Sequence, residues 1–507
     1  MIAKAHSATL NGIDALPIVV ETDLLGRITD AVGNFVLVGL PEKAVQESKQ
    51  RVKSAMQNSG LDFPERRIVC NLAPGDIRKD GPWLDLPMAV SICAAHKIVD
   101  PRVLEGAVFL GELGLDGSLR PINGAVSVAL MARERGFTRL ILPKKDAPEA
   151  AVVAGLDVYG VRNLEETIAL LNGADDIQPE RFTDSPSSRI ADYGLDFSDV
   201  KGQRHGVRAM EIAAAGGHNV LMVGPPGSGK TMLARRLPTI LPPLSMEEAI
   251  EVTRIHSATG QKTKPGLIWE RPFRTPHHSA SHVALVGGGT VPRPGEISMA
   301  HHGVLFMDEM AEFDRPVLEA LRQPLEDSVV TVSRAHSTIT FPAETILIGA
   351  MNPCPCGFRG LPEQKCVSSP ATCIRYASKI SGPLMDRIDL HIEVPRLKPD
   401  DLLNASLGDD SATIRSRVVK ARSLQEKRLG KNRVNAKMTP REIKQAIVLD
   451  EECSQFMRVI SSRMNLSARV FDRILKVSRT LADLAGEDRV LKVHLAEAVQ
   501  YRERSEY

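Results

Sequence analysis

Residues 218–237, HNVLMVGPPGSGKTMLARRL, decide the fold of this 507-residue chain. An apolar run at 219–223 predicts a buried strand, the glycine-rich stretch from Gly224 to Lys230 predicts a tight loop, and a helical pattern follows. The form G-x-x-x-x-G-K-T between a strand and a helix predicts a phosphate site, because loop N–H groups and the positive end of the helix dipole face phosphate oxygens. Strands and helices alternate around this motif, which predicts a three-layer α/β domain.

The loop supplies the residues expected to bind ATP and Mg²⁺. Lys230 is expected to reach the β- and γ-phosphates, and Thr231 to offer its hydroxyl to the metal ion. The other residues expected to face the nucleotide are Gly224, Gly227, Ser228 and Gly229. A glycine-rich turn without function is the alternative, and the flanking strand and helix argue against it.

The segment GVLFMDEM at 303–310 predicts a second buried strand that ends in two carboxylates. Asp308 is expected to hold the hydration shell of Mg²⁺, and Glu309 to polarise the water that attacks the γ-phosphate in line. An acidic pair after a strand can also cap a helix, but the phosphate loop upstream favours the catalytic interpretation.

A third strand, ETILIGAMN at 344–352, is expected beside the other two and ends in Asn352. An amide at that position can orient the attacking water between Glu309 and the γ-phosphate. An asparagine that merely forms a turn is the alternative, and the upstream motifs favour the catalytic role.

Two arginines complete the candidate site. Arg387 lies between acidic residues just before a strand, in SGPLMDRIDLHIEVP, and can reach a neighbouring subunit's ATP. Arg469 lies in the first turn of a helix, in LSARVFDRILKVSRT, and can contact the phosphates of its own subunit. Taken alone, either arginine is better explained by a surface ion pair.

These motifs, in this order, resemble the AAA+ ATPases of the Mg-chelatase-like branch. By that resemblance Asn352 corresponds to sensor 1, Arg387 to the arginine finger and Arg469 to sensor 2. The segment 271–309, RPFRTPHHSASHVALVGGGTVPRPGEISMAHHGVLFMDE, is more specific and resembles the ComM/YifB family. The resemblance implies a homohexameric, ATP-driven helicase that moves branched, single- or double-stranded DNA during recombination in natural transformation.

The chain divides by composition into four segments. Residues 1–172 predict a compact α/β unit, 173–194 a linker rich in Asp, Ser and Pro, 195–397 the ATPase core, and 398–507 a helical lid. Within the 195–397 core, residues 354–373 form a cysteine-rich insertion.

The first of these segments resembles the Lon protease domain, which has the fold of ribosomal S5 domain 2. RKDGPWLDLP at 78–87 and GELGLDGSLRPINGAV at 111–126 carry the resemblance. Trp83 stands where the nucleophilic serine is expected and Val126 where the lysine base is expected, and neither can do that chemistry. We therefore expect the fold without protease activity.

A protein-remodelling AAA+ ATPase of the chelatase or MoxR type is the alternative function, because the Mg-chelatase resemblance alone permits it. A DNA motor needs cationic or polar loops that face a ring pore. LEDSVVTVSRAHSTITFPA at 325–343 predicts a hairpin, and Arg334 at its tip is the first candidate for a phosphate contact. The segment 271–302, with Arg274 and several histidines, is interpreted as polar pore loops, since it lacks the spacing of a helical metal site.

Residues 415–437 form the most basic stretch, with nine Lys/Arg residues and one Glu. A solvated helix face and a surface that follows DNA phosphates explain it equally well. The candidate DNA contacts there are Lys427, Arg428 and Lys431. Because the net charge of the whole chain is only +2, any surface for nucleic acid must be local.

Four cysteines cluster within the insertion, with spacing C-x-C-x9-C-x6-C. They are Cys354, Cys356, Cys366 and Cys373. Four thiolates suffice for a structural Zn²⁺ ion, although the spacing departs from the usual C-x₂₋₄-C pairs. Seven cysteines without an export signal indicate a reducing cytoplasm, and no apolar run is long enough to cross a membrane.

Overall fold

The computed structural model describes residues 2–27, 35–79, 81–183, 193–261, 266–289, 292–333, 338–360, 364–397 and 408–502. The chain folds into two compact units. The first contains Met1–Pro186, Met246–Ile268 and Val291–Arg293, and the second contains Ser187–Ser245, Trp269–Thr290 and Pro294–Tyr507.

The chain alternates strands and helices until about residue 393 and is helical afterwards. The strands are β1 (Ile2–Asn11), β2 (Asp14–Arg27), β3 (Phe35–Val38), β4 (Arg66–Ala73), β5 (Ala107–Phe109), β6 (Glu112–Leu113), β7 (Leu119–Arg120), β8 (Arg139–Pro143), β9 (Asp157–Val161), β10 (Val220–Val223), β11 (Phe273–Arg274), β12 (Gly287–Gly288), β13 (Arg293–Pro294), β14 (Val304–Met307), β15 (Val329–Ser333), β16 (Thr338–Pro342), β17 (Ile346–Met351) and β18 (Leu390–Glu393). The helices are α1 (Lys43–Asn58), α2 (Asp85–Ala95), α3 (Ala125–Glu134), α4 (Ala147–Ala150), α5 (Leu164–Leu171), α6 (Arg204–Gly216), α7 (Lys230–Ile240), α8 (Met246–Ala258), α9 (His282–Val286), α10 (Glu296–Met299), α11 (Arg315–Glu319), α12 (Arg322–Asp327), α13 (Pro370–Ala377), α14 (Gly382–Met385), α15 (Ser411–Leu429), α16 (Pro440–Ala446), α17 (Glu451–Met464), α18 (Ala468–Ala485) and α19 (Lys492–Gln500).

The first unit is built on a seven-stranded mixed sheet in the order β3-β4-β2-β1-β5-β8-β9. β1 and β2 pair antiparallel from Ile2↔Asp23 to Asn11↔Asp14, and Gly12, with φ +67°, closes the tight turn between them. α2 is buried along its whole length because its residues are almost all apolar. Its one carboxylate, Asp85, is compensated by Arg51, whose Nε lies 2.7 Å away.

Two segments belong to the first unit although the sequence boundaries put them elsewhere. α8, expected within the 195–397 core, is joined to it by a hydrogen bond from the Gly124 N–H to Ser257 Oγ at 2.9 Å and by the Arg254–Asp14 ion pair at 2.6 Å. The first half of the expected linker 173–194 also packs there, since the Glu180 N–H donates to Val158 O at 2.7 Å. The composition of these two segments did not predict their contacts with the first unit, because each contact joins residues that are separated in the sequence.

The second unit contains the expected three-layer core. Five parallel strands lie in the order β11-β14-β17-β10-β18, so β17 lies between the strands that carry the phosphate loop and the acidic pair. Apolar side chains of α6 and α7 cover one face of the sheet, and those of α11, α13 and α14 belong to the cluster on the other face. The fold class predicted from the sequence is confirmed.

The C-terminal part of the second unit is helical, as predicted for the lid. α15 to α19 follow one another, and side-chain N-caps begin four of these helices, from Asp410, Thr439, Asp450 and Ser467. α18 packs its apolar face against α6, α15 and α19. Within the described part of the chain, we find no helix whose length and apolar character would let it span a membrane.

Candidate functional site

The phosphate loop connects β10 to α7 in a conformation that needs its glycines. Gly227 and Gly229 have φ of +73° and +95°, which residues with a side chain rarely adopt. A Cβ on Gly224 would lie 2.1 Å from the Val394 carbonyl oxygen. Ser228 Oγ is buried without a hydrogen-bond partner among the described residues, so the loop carries a polar group that a bound phosphate would satisfy.

Lys230 links the loop to the third strand of the site. Its ammonium donates to the carbonyl oxygens of Gly224 and Pro225 at 2.7 and 2.9 Å, and Asn352 Oδ1 lies 3.3 Å away. Burial lowers the pKa of Lys230, and the nearby carboxylates of Asp308 and Glu309 work in the opposite direction. The lysine and the predicted water-orienting amide therefore meet at one point.

The predicted magnesium ligands also meet. Thr231 Oγ1 donates a hydrogen bond to Asp308 Oδ2 at 2.9 Å, across two adjacent elements of the core. A hydroxyl and a carboxylate are oxygen ligands of the kind that Mg²⁺ prefers when phosphates and water complete its shell. The residues at this point fit a magnesium–nucleotide complex.

Glu309 has a backbone conformation that is rare for a glutamate. Its φ of +50° and ψ of +43° lie in the left-handed region, where a side chain costs free energy. The Glu309 side chain is 57% exposed, and its Oε2 lies 3.5 Å from Nδ1 of His278. His278 was expected in a pore loop, and its contact with the predicted catalytic carboxylate was not.

The four cysteines of the insertion converge after Asn352. The Sγ–Sγ distances are 3.3 Å for Cys354–Cys356, 3.6 Å for Cys354–Cys366, 3.5 Å for Cys356–Cys366 and 3.7 Å for Cys366–Cys373. Four sulfurs at about 2.3 Å from a central Zn²⁺ lie about 3.8 Å apart in a regular tetrahedron. Three of the thiols lie close enough to hold one ion together, with the fourth beside them, so the donor set fits zinc.

The insertion also touches the nucleotide site. A Cβ on Gly357 would come within 2.6 Å of Pro226 Cδ, so the cysteine loop packs directly on the phosphate loop. On α13, burial raises the pKa of Tyr376 to about 12, against the effect of a hydrogen bond with the backbone of Asn352. The segment that carries the cysteines thus contacts two parts of the site.

Arg387 and Arg469 lie together at the surface of the second unit. Both line a cavity of about 130 Å³, whose other lining residues are Glu326, Asp386, Asp472, Arg473 and Lys476. Arg387 donates to the Glu326 carboxylate and, through Nη1, to Pro383 O at 2.9 Å. Sequence reasoning assigned Arg469 to the nucleotide of its own subunit, whereas the structure groups it with the arginine assigned to a neighbour's nucleotide.

A buried polar network anchors the strand that follows Arg387. Asp389 Oδ2 lies 3.0 Å from His218 Nδ1, and Asp389 Oδ1 accepts from Arg473 on α18. His218 Nε2 lies 2.8 Å from Thr480 Oγ1, also on α18. Burial alone would raise the pKa of Asp389, but Arg473 and His218 hold it well below its ordinary value.

Sequence reasoning missed this network and the role of Arg473. The available signal was the spacing of Arg469, Arg473 and Lys476, which puts three cations on one face of a helix. The partner carboxylate, Asp389, offered no comparable signal because it lies on another element.

The candidate DNA contacts have different surroundings. Arg274 is ion-paired with Glu296 at 2.6 Å, and Arg428 with Asp483 at 2.7 Å. In this structure both arginines carry an internal ion pair, and their assignment as DNA contacts stays a prediction. Lys427 and Lys431 are exposed. The predicted hairpin forms from β15 and β16, while Arg334 at its tip lies outside the described residues.

The first unit lacks the Lon catalytic pair at the expected positions. The Trp83 indole fills the site of the nucleophile and donates from Nε1 to Ala8 O at 3.0 Å. The Val126 side chain is buried, and its N–H donates to Glu149 Oε1 at 3.0 Å. Neither position offers a nucleophile or a base.

Comparison with family models identifies all three parts of the chain. The model for the magnesium chelatase subunit ChlI matches residues 196–402, the model for its C-terminal region matches 408–502, and a further ChlI model matches 25–146. These matches agree with the α/β core, the helical lid and the first unit.

Whole-length relatives carry the same layout. The chain is 42% identical over 505 residues to the competence protein ComM of Haemophilus influenzae, covering 99% of this chain and 97% of that protein. It is 41% identical over 503 residues to the uncharacterized protein YifB of Salmonella typhimurium, with the same coverage. Lon protease 2 of Bacillus subtilis is 29% identical over 159 residues, which cover 28% of this chain and 27% of that protease.

Proposed function

Because the chain belongs to the ComM/YifB family of magnesium-chelatase-like AAA+ proteins, we propose that it is an ATP-hydrolysing motor that moves branched DNA. The observation that carries the ATPase part is the convergence of Lys230, Thr231, Asp308 and Asn352, which come from separate segments of the chain. The exposed Glu309 carboxylate beside them is available to activate water.

Each of these residues has a distinct task in hydrolysis. Bound MgATP supplies a phosphoryl group whose transfer to water needs charge neutralisation and an aligned nucleophile. Lys230 exchanges its loop carbonyls for phosphate oxygens, and Asp308 with Thr231 binds the metal ion. Glu309 accepts a proton from the attacking water, and Asn352 fixes the direction of that water.

The ring is proposed to be a homohexamer in which Arg387 and Arg469 act on the neighbour's nucleotide. Their shared cavity supports a common target, because two guanidinium groups on one surface can stabilise one developing charge. Contact of Arg469 with the nucleotide of its own subunit, as the family resemblance implies, stays the alternative. The cysteine cluster is proposed to bind Zn²⁺ and to hold the insertion against Pro226.

The DNA part of the proposal rests on the β15–β16 hairpin and on the competence protein among the relatives, since competence is the uptake of DNA by cells. The hairpin precedes β17, and Asn352 directly follows that strand, so a DNA contact made at the hairpin lies one strand from the nucleotide site. The first unit is proposed to serve in ring assembly or in guiding DNA.

A protein-remodelling ATPase is the second candidate. All three matching family models describe a chelatase subunit, and chelatase or MoxR-type proteins would need the same nucleotide site without any DNA surface. The two functions differ in whether DNA changes the rate of ATP hydrolysis.

The decisive experiment is unwinding of three-stranded and four-way junction DNA by the purified protein with MgATP. We expect ATP-dependent strand displacement and DNA-stimulated ATP hydrolysis. Lys230→Ala is expected to lose nucleotide binding, and Glu309→Gln to bind ATP with at least 100-fold slower turnover, on the order of the loss for a missing general base.

Three results would change the assignment. ATP hydrolysis that is indifferent to every DNA form would favour protein remodelling. Full turnover by Glu309→Gln would refute the catalytic role of that residue. Degradation of casein by the wild-type protein would restore the protease function that Trp83 and Val126 argue against.

A further inference from the structure

We propose that Glu326 is a latch that holds Arg387 within its own subunit and competes with the neighbouring subunit's nucleotide for this arginine. Glu326 also belongs to the helix that leads into the β15–β16 hairpin, which couples the latch to the hairpin. The inference rests on the proposed function, in which Arg387 acts on the neighbour's ATP.

The contacts of Arg387 use the groups that a phosphate would need. Its Nη2 donates to the Glu326 carboxylate and its Nη1 to Pro383 O, while Nε is buried without a partner among the described residues. A guanidinium binds phosphate through two parallel N–H groups. Arg387 can therefore present its fork to a neighbour's nucleotide only after Glu326 has released it.

Exposure and charge make Glu326 a replaceable partner. The Arg387 side chain is 12% exposed, whereas that of Glu326 is 54% exposed. The hydrogen bond from Arg387, aided by the charges of Arg469 and Arg473, lowers the pKa of Glu326, so the carboxylate is ionised at neutral pH. An ionised carboxylate at this point repels a phosphate and offsets the charge of the arginine meant to bind it.

The surrounding cavity is close to electrical balance. Its lining has four cationic side chains and three carboxylates, and Glu326 is the only one of the three that precedes the hairpin. Withdrawal of Glu326 would leave the four cations facing two carboxylates. The cavity would then attract a polyphosphate more strongly, in the way that a phosphate-binding surface requires.

The latch is joined to the hairpin through a short and well-held segment. Glu326 lies in α12, Ser328 follows in the left-handed conformation with φ +57°, and β15 begins at the next residue. Lys437 of the lid donates to Ser328 Oγ at 2.7 Å and to Leu325 O at 3.4 Å. Any displacement of the hairpin base therefore acts on the backbone beside Glu326.

The test compares ATP hydrolysis by Glu326→Gln with that of the wild-type protein, each without DNA and with four-way junction DNA. We expect DNA-free turnover to rise about three- to fivefold, the change that loss of one exposed ion pair allows. We expect the rate with DNA to stay near that of the wild type, so that the stimulation factor falls by the same ratio. Glu326→Asp keeps the charge and is expected to remain close to the wild type.

Matched controls separate this inference from the proposed function. Glu452→Gln removes the carboxylate of another exposed ion pair, with Lys492 in the lid, and is expected to change neither rate. Arg387→Ala is expected to lose turnover with and without DNA, and full activity in that variant would overturn both the trans role and the latch. If Arg387→Ala is inactive while Glu326→Gln is folded and no faster than the wild type without DNA, the latch alone is wrong.

Discussion

At the scale of single residues, the second unit depends on charges that are buried together. Asp389 has no exposed side-chain surface and is shared between His218 and Arg473, so its carboxylate joins the sheet to α18. A buried pair of this kind adds little relative to an apolar substitute, but loss of one partner leaves the other uncompensated. The decrease in the free energy of unfolding when one partner is removed therefore measures how strongly this network stabilises α18 against the sheet.

Asp389→Asn is therefore expected to lower the free energy of unfolding of the second unit by about 3–5 kcal/mol at pH 7. The folded-state pKa of Asp389 is depressed, so its contribution is fully present above the ordinary carboxyl pKa of 3.8 and is lost as pH falls below it. The difference in the free energy of unfolding between the wild type and Asp389→Asn should therefore shrink as pH falls below that value.

Urea unfolding followed by tryptophan fluorescence would measure this effect. The chain has two tryptophans, and in a Trp83→Phe background the signal comes from Trp269 in the second unit. Asp314→Asn, which removes an exposed carboxyl without a side-chain cap bond, should change stability by less than about 0.5 kcal/mol. Equal effects of the two substitutions would contradict the role of Asp389.

At the scale of elements, the cysteine loop joins two parts of the site that are distant in the chain. It follows β17 and Asn352, packs Gly357 on Pro226, and continues into α13 with Tyr376 near the Asn352 backbone. A loop of this length has few apolar residues with which to hold itself, and a metal ion would supply the missing constraint.

Purified wild-type protein is expected to contain about one zinc ion per chain, as four converging thiolates require. Cys366→Ser should lose the ion and weaken MgATP binding, because the loop no longer supports the phosphate loop. Zinc content and nucleotide affinity are the measurements. Cys93→Ser, a buried cysteine of the first unit outside the cluster, should keep the metal. Protein that folds and binds ATP normally without zinc would contradict the proposal.

At the scale of the whole molecule, the basic stretch of the lid is the surface whose contact with DNA can be tested most directly. Lys427, Arg428 and Lys431 are all exposed, and Arg428 also forms an ion pair with Asp483. A surface that follows DNA phosphates gives binding a steep dependence on salt, and each lost contact with duplex DNA reduces that slope by about 0.9.

The double substitution Lys427→Glu/Lys431→Glu is thus expected to reduce the salt slope of junction binding by about two. Arg441→Glu/Lys444→Glu makes the same change of charge at exposed positions of α16 and should leave the slope close to that of the wild type. Fluorescence anisotropy across a salt series measures both. An unchanged slope in the first variant would remove this surface from the DNA path.

The family, the fold class and the order of the motifs could be predicted from the sequence, because each is carried by neighbouring residues. A glycine-rich loop between a strand and a helix, followed by an acidic pair after an apolar run, predicts the same nucleotide site in different chains. The strand before Asn352 was expected beside the strands of the phosphate loop and the acidic pair, and β17 does lie between β14 and β10.

Only the tertiary structure decided the contacts between residues far apart. Glu326 and Arg387 are 61 positions apart, and His218 and Asp389 are 171 apart, so no local pattern links them. The same holds for α8, which joins the first unit, and for Arg274 and Arg428, which form ion pairs with Glu296 and Asp483. Local spacing determines which groups a chain can offer, but packing determines which partner each charge meets, since an ion pair depends on distance in space and not on distance in sequence.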